Sequence, residues 1–294
     1  MDRLIKATAM NGTVRIIAAD TRELVEEARK IHGLSTTGAA LLGRMLTSGL
    51  LMGSVLKNPT DRLTVQIKGD GPSMGALVTS GMDLEVKGYL GDPEVDLPLK
   101  ENGKVYVGGA VGTEGKFSVI MDMGMKEPYV SSVPIFTGEV GEDVAYYYTV
   151  SEQLPSAVIL GESFHENMEV ASAGGLLLQM MPGHDPMLAD LLMYRIEELP
   201  PLSSVLGSGQ SIDEVLNYLC DDMYLKINYE AHPRYQCDCS RERVERAFIS
   251  IGIKELKSLF DEGKEEELVC QFCNQKYLFT HDDIGKLIAD ISKN

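Results

Sequence analysis

The amino-acid sequence predicts an α+β protein: a mostly antiparallel β core domain with packed helices, then a helical connector, then a small cysteine-bearing domain. Short β-rich runs separated by Gly, Asp and Pro fill residues 62–182. Apolar residues at helical spacing follow residue 183, and four of the five cysteines lie after residue 236. We therefore divide the 294 residues into a core domain (1–183), a connector (184–231) and a C-terminal domain (232–294).

The composition is that of an acidic globular protein. Hydrophobic residues make up 44% of the chain, which is enough to bury a sizeable core. Lys and Arg total 27 against 44 Asp and Glu, a net charge of −17. Residues 232–294 hold 10 basic and 12 acidic residues, so their own net charge is only −2. Because an acidic surface repels phosphate, nucleic acid is not expected as a partner.

The first elements in order are predicted to be a hairpin and two helices. Asn11-Gly12 separates two β-rich runs, which is the strongest short signal for a β-hairpin. Asp20 and Glu23 have the spacing of a capping box at the start of a helix that Gly33 would end. The apolar stretch from Gly38 to Leu56 predicts a second helix.

This second helix is predicted to be buried in the core and not in a membrane. It approaches the roughly 20 residues that span a bilayer. However, Arg44 lies inside it, and a charge in hydrocarbon is costly. The first residues also lack the apolar run of a secretory signal. We therefore expect a cytoplasmic protein without membrane contacts.

Residues 62–182 are predicted to form mostly antiparallel sheet with one short helix. The helix is predicted over DVAYYYTVSEQ. The predicted strands are the runs LTVQIKG, GALVTSG, LEVKGYL, KVYVGG, KFSVIMD, VPIFTG, SAVILGE and VASAGGLLLQMM.

The connector is predicted to contain two amphipathic helices. The first starts at Asp185-Pro186 and stops before Pro200-Pro201. The second starts with a capping box made by Ser211 and Glu214. Their apolar stripes, which must pack on another surface, are Met187, Leu188, Leu191, Leu192, Ile196 and Leu199, and then Ile212, Val215, Leu216, Leu219, Cys220 and Met223. We interpret Cys220 as a packed apolar residue.

The remaining cysteines predict a small all-cysteine zinc domain at the C-terminus. Cys237 and Cys239 form a Cys-x-Cys pair, and Cys270 and Cys273 form a Cys-x-x-Cys pair thirty residues later. Two close pairs can supply the four thiolates of a tetrahedral zinc site. Structural disulfides are rare in the cytoplasm. A Cys-x-Cys disulfide would also close a small, strained ring. Between the pairs, Ser240 and Gly252 predict the limits of one helix, and Gly263 the end of a second. A strand at KYLFT and a helix capped by Thr280 complete the domain.

The same four thiols are also compatible with a redox role. A peroxide can oxidise a thiolate to a sulfenic acid, which a neighbouring thiol converts to a disulfide. Four cysteines permit three pairings, of which chain proximity favours the one within each pair. The spacing is equally compatible with a redox switch and with a permanent zinc ribbon.

The sequence resembles the bacterial redox-regulated heat-shock chaperone family, the thirty-three-kilodalton chaperonin. The resemblance rests on the Cys-x-Cys and Cys-x-x-Cys pairs with their thirty-residue gap. It extends along the chain through the segments ALLGRMLTSGLLMGSVLK, GDGPSMGALV, MDMGMKEPYVSSVPIFTGEVGED, YYYTVSEQLPSAV and AGGLLLQMMPG. The segment GESFHENME departs from the family pattern, because Glu162 and His165 stand where a more apolar strand is expected.

The resemblance implies a non-enzymatic, ATP-independent holdase, inactive while reduced and zinc-bound, that binds unfolding client proteins after oxidation. It implies zinc ligands at Cys237, Cys239, Cys270 and Cys273, and disulfides Cys237–Cys239 and Cys270–Cys273 in the oxidised state. Loss of zinc would unfold the C-terminal domain, loosen the connector and expose apolar surface. The active form would be a homodimer.

Two other functions fit the cysteine pattern. The first is a thiol-disulfide oxidoreductase that uses Cys270-Gln271-Phe272-Cys273, although the chain shows no thioredoxin-like βαβ pattern around it. The second is an interaction module in which zinc is only structural.

Overall fold

The computed structural model describes residues 1–291 apart from the side chain of Asp290, so the last three residues of the predicted 232–294 domain lie outside the described residues. The chain forms two compact units, Met1–Gln236 and the part from Cys237 onward. The first unit is built on two sheets and seven helices among its described residues. The predicted α+β class is confirmed.

The first sheet has five antiparallel strands, which lie in the order β10-β1-β2-β9-β8. Its strands are β1 (Arg3–Ala9), β2 (Val14–Asp20), β8 (Ser156–Phe164), β9 (Val170–Met180) and β10 (Lys226–Ala231). The predicted hairpin at Asn11-Gly12 joins β1 to β2, with Asn11 in the left-handed region. Strand β10 was not predicted. Its residues are mostly exposed, so they show no alternation of buried and exposed positions, and only the pairing with β1 defines the strand.

The second sheet has six strands in the order β11-β5-β4-β3-β6-β7. Its strands are β3 (Arg62–Lys68), β4 (Ala76–Ser80), β5 (Glu85–Leu90), β6 (Lys116–Asp122), β7 (Tyr129–Pro134) and β11 (Arg234–Tyr235). All neighbours are antiparallel except the short β11, which pairs in parallel with β5.

The helices of the first unit pack on both sheets. They are α1 (Arg22–His32), α2 (Thr36–Gly53), α3 (Val107–Val111), α4 (Gly141–Val150), α5 (Pro186–Glu198), α6 (Leu202–Gly207) and α7 (Ile212–Cys220). Helix α2 is buried along almost its whole length, as the run from Gly38 predicts. No helix within residues 1–291 has both the length and the apolar character needed to cross a bilayer.

Two local predictions are wrong, and a third is only partly right, since Val133 and Pro134 are the only residues of the run VPIFTG that lie in β7. The run KVYVGG is not a strand, because its last three residues belong to the short helix α3. Asp20 does not form a capping box at α1, whose first residue after the Thr21 cap is Arg22. Instead, the Asp2 carboxylate of the N-terminal segment accepts hydrogen bonds from the amides of Glu23 and Leu24, at 2.8 and 2.6 Å. Folding of the sheet, and not the local sequence, supplies this cap.

The predicted connector helices are present, with the predicted caps at Asp185 and Ser211. Leu188 and Leu192 of α5 are buried, whereas Met187 and Leu191 of the predicted stripe are exposed. The buried face of α5 is therefore narrower than predicted. Whether residues 184–231 act as a separate connector stays a prediction.

Arg44 is the charged residue inside the apolar helix α2, and the structure gives it two acidic partners. Its guanidinium donates to the Glu162 carboxylate at 2.7 Å and to the Glu139 carboxylate at 2.7 Å. Burial opposes the charge on Arg44, but both carboxylates raise its pKa above the ordinary value. The Glu162 side chain is only 5% exposed, so the departure noted in GESFHENME supplies the partner that the buried cation needs.

Replacement of Arg44 by Met should therefore destabilise the protein strongly. The variant leaves the buried Glu162 carboxylate unpaired, and we expect a loss of about 3–5 kcal/mol in the free energy of unfolding. Chemical denaturation followed by circular dichroism measures it. The control is Arg234→Met, which removes an ion pair with Glu85 in which the Arg side chain is 66% exposed. Equal destabilisation by both variants would contradict the assigned role.

Candidate metal centre

Up to Ile291, the second unit combines three helices with a two-stranded hairpin. Its elements are α8 (Arg241–Ile249), α9 (Ile253–Glu262), β12 (Glu266–Val269), β13 (Lys276–Phe279) and α10 (His281–Ile291). Helices α8 and α9 fill the interval between the two cysteine pairs, as predicted, although α8 ends at Ile249 and Gly252 precedes α9.

The first cysteine pair lies in the loop before α8. Ser240 caps this helix by accepting a hydrogen bond from the amide of Arg243 at 3.3 Å. The Arg243 guanidinium donates back to the carbonyl oxygen of Asp238 at 3.2 Å and also pairs with its carboxylate. Because Asp238 stands between Cys237 and Cys239, these contacts hold the Cys-x-Cys loop against the start of α8.

The second pair lies in the turn of the hairpin, directly after β12. The amides of Cys273 and Asn274 donate to the carbonyl oxygen of Cys270 at 3.3 and 2.8 Å. The amide of Cys270 donates to the carbonyl of Gln275 at 2.9 Å, and Asn274 has a positive φ of 56°. This tight turn directs two thiols that are three residues apart toward the same space.

The structure brings all four predicted cysteines together. Their sulfur atoms lie within 4.8 Å of one another. The Sγ atoms of Cys237 and Cys270 are 3.8 Å apart, and those of Cys239 and Cys273 are 3.3 Å apart. No disulfide joins any two cysteines of residues 1–291. Four sulfurs around a tetrahedral zinc ion, each at about 2.3 Å, would be about 3.8 Å apart, so the four thiols fit one such ion with small adjustments.

The four sulfurs are not equivalent, because Tyr277 of β13 donates a hydrogen bond from its hydroxyl to Cys239 Sγ at 3.1 Å. Burial raises the pKa of Cys237 to about 11 and raises the pKa of Cys273 further. Burial also opposes ionisation of Cys239, but the Tyr277 hydroxyl and the neighbouring thiols lower the pKa of this thiol. The same hydrogen bond raises the pKa of Tyr277 to about 12.

The apolar core of the second unit is small. Four of its described side chains are buried apolar residues: Phe248, Leu256, Phe279 and Ile284. Phe248 and Phe279 form an edge-to-face pair with ring centres 5.2 Å apart. A core of this size gives a domain little stability by itself. A metal held by the four thiols would therefore be a major source of folding free energy, on the order of 10–16 kcal/mol.

The other residues considered from the sequence lie elsewhere. Cys220 is fully buried on α7, where burial raises its pKa to about 11, as expected for a packed thiol. His232 lies in the first unit, where its Nδ1 donates to the carbonyl oxygen of Asp2 at 2.8 Å. Sequence reasoning missed Tyr277. Its only sequence signal was an aromatic residue in a strand four positions after Cys273.

A family model described as Hsp33 protein matches residues 2–280. The chain belongs to the Hsp33 family. It is 55% identical to a 33 kDa chaperonin of Clostridium novyi over 292 residues, which is 99% of each chain. It is also 55% identical to a 33 kDa chaperonin of Clostridium botulinum over 287 residues, which is 98% of this chain and 97% of the relative.

A solved structure supports the fold. The crystal structure of the 33 kDa chaperonin (heat shock protein 33 homolog) from Thermotoga maritima superposes with a TM-score of 0.90 at 33% identity and covers 99% of each chain. The family and the names of these relatives support a chaperone, and the cysteine cluster could hold a metal ion.

Loss of one sulfur should abolish tight metal binding. We expect Cys273→Ser to bind far less than one zinc ion per chain and to lose the helical signal of the second unit, because its small core cannot replace the metal. Elemental analysis and circular dichroism after dialysis measure both effects. Cys220→Ser should keep its zinc, since this thiol lies outside the cluster. Full zinc binding by Cys273→Ser would exclude the four-sulfur site.

Proposed function

We propose that this protein is a redox-regulated, ATP-independent holdase whose reduced form holds one zinc ion through Cys237, Cys239, Cys270 and Cys273. The observation that carries the proposal is the convergence of four thiols in a unit with a small apolar core. Such a unit depends on the state of its sulfurs for its stability. Family membership supports the chaperone activity.

Oxidation would proceed in two steps at each cysteine pair. A thiolate attacks a peroxide, forming a sulfenic acid and releasing hydroxide or an alkoxide. The second thiol of the pair displaces water from this sulfenic acid and forms a disulfide. We propose the disulfides Cys237–Cys239 and Cys270–Cys273, on the resemblance and on chain proximity, although the sulfur cluster is tight enough for other pairings. Sulfurs bonded in disulfides no longer serve as thiolate ligands.

The client surface would lie under the connector helices. One face of the five-stranded sheet, with Ile5, Ile16 and Leu178, packs against α5, α6 and α7 and not against α2. The apolar residues on the connector side of this contact are Leu188, Leu192, Leu202, Val205, Ile212, Val215, Leu216 and Leu219. If oxidation unfolds the second unit and loosens the connector, both apolar faces become available to an unfolding client.

Few side-chain polar contacts attach helices α5, α6 and α7 to the sheet, whereas β10 at the end of the connector is hydrogen-bonded along β1. Arg195 of α5 donates to the carbonyl of Leu219 at 2.8 Å and pairs with the exposed Asp222, but these contacts join parts of the connector to each other. Arg3 of β1 pairs with Asp213 at the start of α7. Because the Arg3–Asp213 pair is partly open to solvent, it contributes modestly, and the apolar contact is the main attachment of these helices.

The alternative of a thiol-disulfide oxidoreductase has less support. Cys270 and Cys273 lie in the turn of an antiparallel hairpin, with two further sulfurs within 4.8 Å. Catalytic Cys-x-x-Cys pairs commonly use a helix N-terminus to stabilise the thiolate. We further propose that the active form is a homodimer, that clients are its only macromolecular partners and that it acts in the cytoplasm.

The switch predicts opposite activities for the two redox states. Reduced, zinc-loaded protein should leave aggregation of a heat-unfolded enzyme nearly unchanged, whereas protein treated with peroxide at mild heat should suppress light scattering at a few chains per client. Thiol counting should show the loss of four thiols, with Cys220 retained. Equal suppression by both forms would disprove the regulation but not the chaperone activity.

Loosening of the connector should activate the reduced protein. Leu192 of α5 is 3% exposed, so Leu192→Asp removes at least about 2–5 kcal/mol of packing and buries a carboxylate. We expect this variant to suppress client aggregation without oxidation while keeping its zinc. Leu191→Asp is the matched control. Leu191 is the preceding residue of the same helix, and its side chain is 41% exposed. If the two variants behave alike, the covered face is not the client surface.

A further inference from the structure

The side chain of Tyr277 contacts the sulfur cluster directly. Its hydroxyl donates to Cys239 Sγ at 3.1 Å. A donor to a metal-bound thiolate stabilises its charge, and such contacts outside the ligand set tune a metal site. Four thiolates around a divalent ion leave an excess of two negative charges, so a donor at any of the sulfurs favours the bound state.

The hairpin fixes the position of this hydroxyl. Strand β13 is paired with β12 in a register that places Tyr277 opposite Leu268. Alternation along the strand then puts Tyr277 on the same face as Phe279, which is fully buried. The Tyr277 ring packs against the apolar cluster of the second unit, while Leu278 faces the other way and is 49% exposed. The ring is therefore held by packing, and only its hydroxyl reaches the sulfurs.

We propose that Tyr277 is a positioning residue of the metal centre, whose hydroxyl holds Cys239 as a zinc ligand and protects this sulfur from peroxide. While zinc is bound all four sulfurs would already be thiolates, so the hydrogen bond would not increase the amount of thiolate and would only make Cys239 a weaker nucleophile. Oxidation would then begin at another sulfur of the cluster. Tyr277 thus sets how much oxidant is required before the metal is lost. This role rests on the proposed zinc-dependent switch.

The test compares Tyr277→Phe with the wild-type protein, since this variant keeps the ring and removes only the hydroxyl. We expect zinc affinity to fall about 10-fold to 100-fold in competition with a chromogenic chelator. We also expect peroxide to release zinc faster from the variant. Mass spectrometry after trapping of sulfenic acids at short times should find Cys239 oxidised earlier than in the wild type.

Two further variants keep the test specific. Tyr218→Phe removes a hydroxyl from a tyrosine of the first unit that is 53% exposed, and it should match the wild type in all three measurements. Tyr277→Leu removes both the ring and the hydroxyl. If Tyr277→Phe matches the wild type and only Tyr277→Leu binds zinc weakly, the ring acts by packing and the proposal is wrong.

The wild-type measurements separate this inference from the proposed function. A wild-type protein that binds zinc and releases it on oxidation, beside a Tyr277→Phe variant with unchanged affinity and release rate, overturns the role of Tyr277 alone. A wild-type protein that binds no zinc, or keeps it after all four thiols are lost, overturns both.

Discussion

The second unit depends on one constraint, which is that a sulfur atom serves either as a thiolate ligand or as half of a disulfide. The four sulfurs lie within 4.8 Å of one another, although two short segments thirty residues apart supply them. Helices α8 and α9 occupy the interval and the β12-β13 hairpin closes the site. Each cysteine is held by local contacts, such as the Arg243 bonds to Asp238, so the unit is ordered around its sulfurs.

The two units are stabilised in different ways. The first has a continuous apolar core around helix α2, and its buried cation Arg44 is matched by Glu162 and Glu139. The second has four buried apolar side chains and a sulfur cluster. A chemical change at the sulfurs would therefore affect the second unit, which has the smaller apolar core.

The two faces of the five-stranded sheet have different roles. Adjacent residues such as Leu4 and Ile5, or Ile16 and Ile17, point to opposite sides of the sheet. One side belongs to the core with α2, and the other is covered by the connector helices. The connector helices are short and have few polar side-chain contacts with the sheet. The apolar face beneath them is therefore suited to reversible exposure.

The sequence alone determined the elements whose signals are local. The Asn11-Gly12 hairpin, the caps at Asp185, Ser211 and Ser240, and the paired cysteines depend on residues close together in the chain, so their spacing predicts them. Family membership could likewise be recognised from these motifs. The residues of the short helix α3 were predicted to form a strand because they are β-rich. Their sequence does not show which residues surround them in the fold.

Only the tertiary structure decided the features that join distant segments. It placed Asp2 at the start of α1, paired Arg44 with Glu162, added β10 to the edge of β1 and brought the Tyr277 hydroxyl to Cys239. Each of these contacts depends on strand register or helix packing, which no local pattern encodes. The sequence determined which atoms could hold a metal, and the fold decided which side chains contact those atoms, because hydrogen bonds act only over a few ångströms.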